Sequence, residues 1–215
     1  MTWDQARVLY EQAATWGIRL DDTALERLSR FLALLSTWNR RIRLTGDRDE
    51  GLILRKHAAD SLSAVRYLPP CGLAVDIGSG GGFPGIILGC VRPDLDLVLL
   101  DARRRPVSFL REAIRTIPLP RARALQLRAE DAAHTEDVTG RARLVIARAL
   151  RLDVFLPLAR PLLAPGGVAI AMQTPRIRAA ASVARQVGMT LKESVDYQLA
   201  EGERRTLLAF AALVP

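Results

Sequence analysis

A glycine-rich turn between two short apolar segments constrains the fold of this chain more than any other feature. It lies within residues 73–105, which read LAVDIGSGGGFPGIILGCVRPDLDLVLLDARRR, and four of the five residues 78–82 are glycine. The segment LAVDI has the length and hydrophobicity of a buried strand. Glycine reaches positive φ without strain and lets another group approach the backbone closely. The pattern therefore predicts a strand, a tight turn and a helix, with the turn open to a ligand.

The alternation of strand and helix continues to the carboxyl end. Four further strand-like segments are LDLVLLD, RALQLRAED, ARLVIARAL and PGGVAIAMQ. The predicted helices are FPGIILGCV, RRPVSFLREAIRTI, LDVFLPLARPLL and RIRAAASVARQVG, and two final strands follow in MTLKESVDYQL and RRTLLAFAAL. Alternation of this kind predicts an α/β fold with a parallel sheet and helices on both faces.

The first 68 residues have a different, helical pattern. Apolar residues recur at helical spacing in WDQARVLYEQAATW and in DDTALERLSRFLALLSTWNR, where Asp21 or Asp22 is expected as the N-cap. A third helix is predicted over EGLILRKHAADSLSAVRYL, and PPCG ends the helical pattern. We expect two domains, a helical segment over residues 1–68 packed on an α/β domain over residues 69–215.

Composition excludes several classes of protein. Although 49% of the residues are hydrophobic, no uncharged apolar run reaches the roughly 18 residues of a membrane span. The amino-terminal stretch lacks the pattern of a signal peptide. Cys71 and Cys90 have no metal-ligand spacing, and neither His57 nor His134 has companion ligands. We expect a cytoplasmic protein without a metal site.

The charge balance points to a polyanionic partner. The formal net charge is +8, and all of the 31 basic residues except Lys56 and Lys192 are arginine. A bias toward arginine explains why it replaces lysine, but not why basic residues outnumber acidic ones. The excess favours binding to nucleic acid.

Two acidic residues turn the glycine pattern into a candidate nucleotide site. Asp76 stands two residues before Gly78, and Asp101 ends the second predicted strand, where a carboxylate can accept both hydroxyls of a ribose. Two alternative interpretations fit less well. A dehydrogenase would need the spacing G-x-G-x-x-G, whereas the chain has G-S-G-G-G-F-P-G. A tight turn without a ligand would seldom need so many glycines. The pattern D-x-G-x-G-x-G resembles instead the first motif of class I S-adenosylmethionine-dependent methyltransferases. That resemblance implies a Rossmann-like, mostly parallel seven-stranded sheet with an antiparallel carboxyl-terminal hairpin.

A narrower resemblance rests on several motifs in a fixed order. The segments DIGSGGGFPGI, VRPD, LLDARRRPVSFL and IARAL follow WNRRIRLT and KHAADSL. From about Trp38 to Met172 the chain resembles the bacterial glucose-inhibited division protein B family, also called RsmG, whose members methylate a guanine of small-subunit ribosomal RNA. The resemblance implies transfer of a methyl group from S-adenosylmethionine to N7 of a guanine in the 530 loop of 16S rRNA, position 527 in the standard numbering of that RNA.

The resemblance also implies roles for particular residues. Asp101 would hold the ribose, Ala129 and Glu130 would flank the adenine, and Arg148 would reach the cofactor or the incoming base as a positioning residue. Guanine N7 has a free lone pair, so no general base is expected. The residues expected to contact the cofactor are Asp76, Gly78, Gly80, Phe83, Asp101, Ala129, Glu130 and Arg148.

Other positions concern the RNA and the contact between the two domains. His57 and Asp60 lie three residues apart on one helical face and are expected to fasten the helical segment to the α/β domain. Members of the family commonly have lysine and glycine where this chain has Gln173 and Thr174, and Arg176 and Arg178 could compensate. The candidate RNA-binding residues are Arg40, Arg41, Arg43, Arg103, Arg104 and Arg105.

Two other functions remain open at this point. One is methylation of a different RNA, a protein or a small molecule. The other is RNA binding without catalysis, although the retained glycines and acidic residues disfavour it. The expected partner is 16S rRNA or the small ribosomal subunit, and the protein is expected to be a monomer.

Overall fold

The computed structural model describes residues 2–175, 179–200 and 202–213. Its seven strands form one sheet in the order β3-β2-β1-β4-β5-β7-β6. The first five strands are parallel, and β7 runs antiparallel to both β5 and β6. This arrangement confirms the predicted fold class. The strands are β1 (Leu73–Ile77), β2 (Asp96–Asp101), β3 (Ala122–Gln126), β4 (Ala142–Arg148), β5 (Leu163–Gln173), β6 (Met189–Gln198) and β7 (Arg204–Ala212).

The helices follow the predicted order, with two local differences. The third predicted helix is a continuous helical run, but it contains a π-helical segment (Ile53–Ala58) and ends in a 3-10 segment (Ser63–Tyr67). The segment RALQLRAED, predicted as a strand with its exit loop, is a strand only as far as Gln126, and a short helix begins at Ala129. The α-helices are α1 (Trp3–Thr15), α2 (Asp22–Ile42), α3 (Glu50–Leu52), α4 (Ala59–Leu62), α5 (Gly85–Val91), α6 (Arg104–Thr116), α7 (Ala129–Ala132), α8 (Leu152–Ala159) and α9 (Ala180–Gln186).

Side-chain hydrogen bonds set both ends of α2. Asp21 is the N-cap, because its Oδ1 accepts from the N–H of Ala24 at 2.7 Å. At the other end, Oδ1 of the buried Asn39 accepts from the N–H groups of Leu44 and Thr45 at 2.7 and 3.0 Å. Asn39 thereby fixes the conformation of the loop that follows the helix, residues 43–47.

The sheet has a hydrophobic core on each face. Alternate residues of β2 enter opposite cores: Leu97 and Leu99 face one side, Val98 and Leu100 the other. The first core also contains buried residues of α1, α2, α5 and α6, and the second contains residues of α8 and α9. The amino-terminal helices therefore share a core with one face of the sheet. The boundary predicted near residue 68 stays a prediction.

No helix in the described parts of the chain is both long enough and apolar enough to cross a membrane.

Candidate functional site

The glycine turn lies where the strand order reverses. Strand β1 has β2 on one side and β4 on the other, and in open α/β sheets ligands bind at the carboxyl ends of the strands beside such a point. The N–H groups of Gly78 and Ser79 donate to the carbonyl oxygen of Leu100 at 2.8 and 2.9 Å. Gly80, with φ of 52°, donates its N–H to Oδ2 of Asp101 at 3.0 Å. The turn is thus attached to the end of β2.

The loop after α2 packs directly on this turn. A Cβ atom on Gly81 would lie 3.1 Å from Cγ2 of Thr45 and 3.2 Å from the carbonyl oxygen of Leu44, so a side chain there would push the loop away. Asn39 holds the loop in place through its bonds to the backbone of residues 44 and 45. Both Asn39 and Thr45 belong to the motif WNRRIRLT, but the sequence did not indicate that they support the glycine turn.

Asp76 lies beneath the turn and is fully buried. Its Oδ2 accepts from the N–H of Gly85 at 2.9 Å, and its Oδ1 has no hydrogen-bond partner among the described residues. Burial raises the pKa of this carboxyl group to about 6. The bond to Gly85 ties β1 to the start of α5, so Asp76 shapes the turn from inside. Direct contact between Asp76 and a cofactor stays a prediction.

Asp101 ends β2 with both carboxylate oxygens engaged. Oδ2 accepts from Gly80 N–H, and Oδ1 accepts from the backbone N–H of Arg103 at 2.9 Å. The Arg103 side chain adds two further bonds, from Nε to Oδ1 and from Nη2 to Oδ2, each 3.1 Å long. The carboxylate is buried, whereas the arginine side chain is 71% exposed. The predicted ribose-binding group therefore lies beside the glycine turn, paired with a largely exposed cation. We call the surface formed by the backbone of residues 78–81 and the Asp101 carboxylate the glycine crevice.

Ala129 and Glu130 begin the short helix α7 beyond β3. The N–H of Leu127 donates to the backbone carbonyl of Asp101 at 3.2 Å, which brings the exit from β3 beside the end of β2. Ala129 is half-buried and Glu130 is exposed. The structure thus places these two predicted residues on the same edge of the sheet as Asp101 and the glycine turn.

Arg148 ends β4 and is held on two sides. Its Nη1 lies 3.6 Å from Oδ2 of Asp60, and its guanidinium carbon lies 5.2 Å from the centre of the Phe83 ring. On the other side Phe83 contacts His57, with 5.3 Å between the ring centres. The Phe83 side chain is only 4% exposed, so it supports Arg148 and His57 from within the protein.

Asp60 is the centre of a buried polar cluster that joins distant parts of the chain. The hydroxyl of Tyr197 donates to its Oδ1 at 2.5 Å, and Nε of Arg205 lies 3.8 Å from its Oδ2. Burial raises the pKa of Asp60, while Arg148 opposes that shift. The carboxylate therefore connects α4 with the end of β4 and with both strands of the final hairpin. Sequence analysis did not identify Tyr197 or Arg205, although alternating burial along SVDYQ directs Tyr197 inward.

His57 lies beside this cluster in the π-helical segment. Its Nε2 is 2.9 Å from Oδ2 of Asp47, and its buried Nδ1 has no partner among the described residues. Burial and the nearby positive charge of Arg148 lower the pKa of His57 to about 4, so the ring is neutral at pH 7. The structure places His57 and Asp60 where the amino-terminal helices contact the turn after β1 and strands of the sheet, and their predicted role is to hold these parts together.

An open cavity of about 510 Å³ lies at the ends of β4 and β5, and β4 is the strand next to β1 and its glycine turn. Gln173 lines this cavity and donates from Nε2 to the carbonyl oxygen of Leu150 at 2.5 Å. Ala149 has φ of 62°, in the left-handed region that residues other than glycine seldom adopt. Gln173 thus holds the bend after β4. Arg176 and Arg178, the arginines that could compensate for the missing lysine, lie outside the described residues. The cavity is lined by Asp47, Lys56, His57, Asp60, Arg148, Ala149, Met172, Gln173, Thr174, Glu203 and Arg205.

Five of the six predicted RNA-binding arginines meet in one shallow basin of about 410 Å³. Arg41 and Arg43 reach it from the end of α2, and Arg103, Arg104 and Arg105 from the start of α6. We call this surface the arginine basin. The sixth residue, Arg40, does not line it and donates from Nη1 to Oγ of Ser36 at 3.2 Å.

Among the described residues there is no group of three or more histidine, cysteine or acidic side chains that could hold a metal ion.

Comparison with known proteins gives the family. Residues 24–207 match the GidB family model, described as rRNA small subunit methyltransferase G. The chain belongs to this family. The rRNA small subunit methyltransferase G of Halorhodospira halophila is 41% identical over 162 residues, which cover 75% of each chain. That of Geobacter sp. strain M21 is 35% identical over 207 residues, which cover 94% of each chain.

Solved methyltransferase structures share the fold of this family member. The crystal structure of ribosomal protein L11 methylase from Lactobacillus delbrueckii subsp. bulgaricus superposes with a TM-score of 0.58 at 12% identity. The match covers 79% of this chain and 81% of the methylase. At this identity the likeness concerns the Rossmann-like fold alone.

Proposed function

We propose that this protein transfers a methyl group from S-adenosylmethionine to N7 of a guanine in the 530 loop of 16S rRNA. Membership of the rRNA small subunit methyltransferase G family supports the reaction class and the substrate. The observation that carries the proposal is one of geometry. The glycine turn and Asp101 lie at the carboxyl ends of β1 and β2, and the neighbouring strand β4 ends in Arg148, which lines the cavity of about 510 Å³. A cofactor at the turn and a base in the cavity would therefore lie next to each other.

The residues of the crevice fit such a cofactor. A Cβ built on Gly78 would meet only Cδ1 of Leu150, at 4.0 Å, so there is room beside the backbone for a ligand. Asp101 supplies a carboxylate for the two ribose hydroxyls. Ala129 and Glu130, on the neighbouring strand exit, flank the position of the adenine. The remaining cofactor-binding residues in this proposal are Asp76, Gly78, Gly80, Phe83 and Arg148.

The chemistry needs orientation more than acid–base catalysis. When bound, S-adenosylmethionine supplies an electrophilic methyl group for the guanine. Because N7 has a free lone pair, no side chain has to remove a proton from it, and we assign no general base. Arg148 is fixed by Asp60 and Phe83 and serves to position the reactants, an effect that can lower a barrier by several kcal/mol.

The arginine basin supplies the electrostatic part of RNA binding. Contacts between arginine and phosphate give an affinity that falls as the salt concentration rises. The target guanine has to leave its stack to enter the cavity, as in other enzymes that modify bases. A cytoplasmic location and a monomeric state belong to the same proposal, and sedimentation of the purified chain tests the second.

The proposal is tested with small ribosomal subunits that lack the modification. The subunits are incubated with the protein and labelled S-adenosylmethionine, and N7-methylguanine is mapped along the 16S rRNA. We expect one labelled guanine in the 530 loop. If another RNA, a protein or a small molecule is labelled instead, the proposed substrate is wrong and the labelled molecule is the substrate. If the protein binds RNA but neither binds the cofactor nor transfers methyl groups, it is a non-catalytic RNA-binding protein.

A further inference from the structure

The carboxylate of Asp101 has no free acceptor position. A carboxylate offers about four lone-pair sites, and four donors occupy them here. Two are backbone N–H groups, of Gly80 and Arg103, and two are the Nε and Nη2 groups of the Arg103 side chain. A ribose that donates two hydroxyls to Asp101 therefore has to displace two existing donors.

Only the side-chain donors can leave without unfolding the site. The Gly80 amide is held within the glycine turn, and the Arg103 amide belongs to the residue that precedes α6. The Arg103 guanidinium, by contrast, is on a largely exposed side chain. Its Nη2 lies 3.8 Å from the position of a Cβ atom on Gly80, so the group covers the part of the crevice that the ribose needs. Entry of the ribose requires the guanidinium to swing away from Asp101.

On the side away from Asp101, the charged residues that line the basin together with Arg103 are all arginines. Arg103 also lines the arginine basin, and the side chains of Arg41, Arg43, Arg104 and Arg105 have no carboxylate or hydrogen-bond partner among the described residues. The first turn of α6 contains no acidic residue, and its N-cap residue, Arg103, makes no side-chain capping bond to the helix backbone, so the positive end of the helix dipole adds to the same potential. An anion in the basin would stabilise the displaced position.

We propose that Arg103 is shared between the cofactor carboxylate Asp101 and the RNA phosphates bound in the arginine basin, so that cofactor and RNA bind cooperatively. This inference rests on the proposed function, which supplies the two ligands. The ribose takes the place of Arg103 on Asp101, and a phosphate takes the place of Asp101 beside Arg103. Because coupling between two binding sites is reciprocal, RNA strengthens cofactor binding by the same factor by which the cofactor strengthens RNA binding.

The first experiment measures the affinity for S-adenosylhomocysteine by calorimetry on the full chain. Arg103→Ala removes the internal competitor, so we expect binding about two- to fivefold tighter than in the wild type, as the small free energy of an exposed ion pair implies. The matched control is Arg121→Ala. Arg121 pairs with Asp96 at the opposite end of β2, at 2.8 Å, and its removal should leave the affinity unchanged. Weaker or unchanged binding by Arg103→Ala would overturn the proposal.

The second experiment measures binding of unmodified 16S rRNA with and without saturating S-adenosylhomocysteine. In the wild type the ligand should strengthen RNA binding several-fold, and in Arg103→Ala this effect should vanish. Arg104→Ala, which changes the basin but does not touch Asp101, should bind RNA more weakly and keep the effect. Coupling that persists in Arg103→Ala refutes the inference. A different result would refute the proposed function itself, namely a wild-type protein that neither binds S-adenosylhomocysteine nor methylates 16S rRNA.

Discussion

The backbone N–H of Gly80 donates to the carboxylate of Asp101 at 3.0 Å, although 21 residues separate them. This bond joins the glycine turn after β1 to the end of β2, and it brings the two parts of the sequence pattern to one edge of the crevice. The carboxylate therefore stabilises the turn, and in the proposed function it is also the group that holds the ribose.

Replacement of Asp101 by asparagine should weaken cofactor binding. The amide keeps the size of the side chain but loses the negative charge and one acceptor group, so we expect S-adenosylhomocysteine affinity to fall about 10- to 100-fold. Asp96→Asn is the control, since Asp96 begins the same strand and pairs with Arg121 away from the crevice. Equal affinities in the two variants would show that Asp101 does not hold the cofactor.

Arg148→Lys should lower turnover about 10- to 100-fold while the protein stays folded. Lysine keeps the positive charge beside the buried Asp60, but it loses the planar guanidinium that lies over Phe83. Single-turnover methylation at saturating cofactor and RNA measures the effect, and thermal unfolding reports on stability. Arg151→Ala provides the comparison, because Arg151 is 82% exposed and pairs with Asp153. Wild-type turnover in Arg148→Lys would remove Arg148 from the active site.

Asp76 should make stability depend on pH. The pKa of this carboxyl group is about 6 in the folded protein, above its ordinary value of 3.8. Between these values the unfolded chain loses a proton that the folded chain keeps, so the contribution of Asp76 to stability falls as the pH rises from about 4 to 6 and is constant above that range.

Asp76→Asn keeps an acceptor for Gly85 N–H and removes the titration. The free energy of unfolding of the variant, relative to the wild type, should therefore rise by up to about 3 kcal/mol across that interval. Denaturant unfolding at several pH values measures this difference. A difference that does not change with pH would contradict the assigned pKa.

Gly85→Ala should destabilise the protein by several kcal/mol. A Cβ atom on Gly85 would lie 2.3 Å from Cδ2 of Leu99 and 2.6 Å from Oδ2 of Asp76, and both neighbours are buried. Gly46→Ala is the control, because a Cβ atom there has no neighbour within 4 Å. Chemical denaturation measures the free energy of unfolding of the two variants. Similar values would mean that the start of α5 can shift to accommodate the added methyl group.

Local patterns were enough to predict most of the fold. Apolar segments and glycines between residues 73 and 105 predicted the order strand, turn, helix, strand, and the structure confirms it. For residues 50–67 the sequence predicted a helix but not its type, because hydrophobic spacing alone does not distinguish α-helix, π-helix and 3-10 helix.

The polar clusters of the site depend on contacts that a single sequence does not reveal. Tyr197 lies 137 residues from Asp60 along the chain, and nothing in either segment indicates that they form a hydrogen bond. Likewise, the run of arginines at the end of α2 did not show that Arg41 and Arg43 face α6 whereas Arg40 turns to Ser36. The geometry of α2 and of the loop held by Asn39 determines which of these arginines reach the arginine basin.

The buried cluster at Asp60 has a consequence for the order of synthesis. Asp60 is made well before Tyr197 and Arg205, which surround its carboxylate in the folded protein. The hydrogen bonds of the glycine turn, by contrast, come from β1 and β2. The polar surroundings of Asp60 are therefore complete only after both strands of the final hairpin have been made. A chain truncated before β7 would lack Arg205, one of the two arginines that face the Asp60 carboxylate.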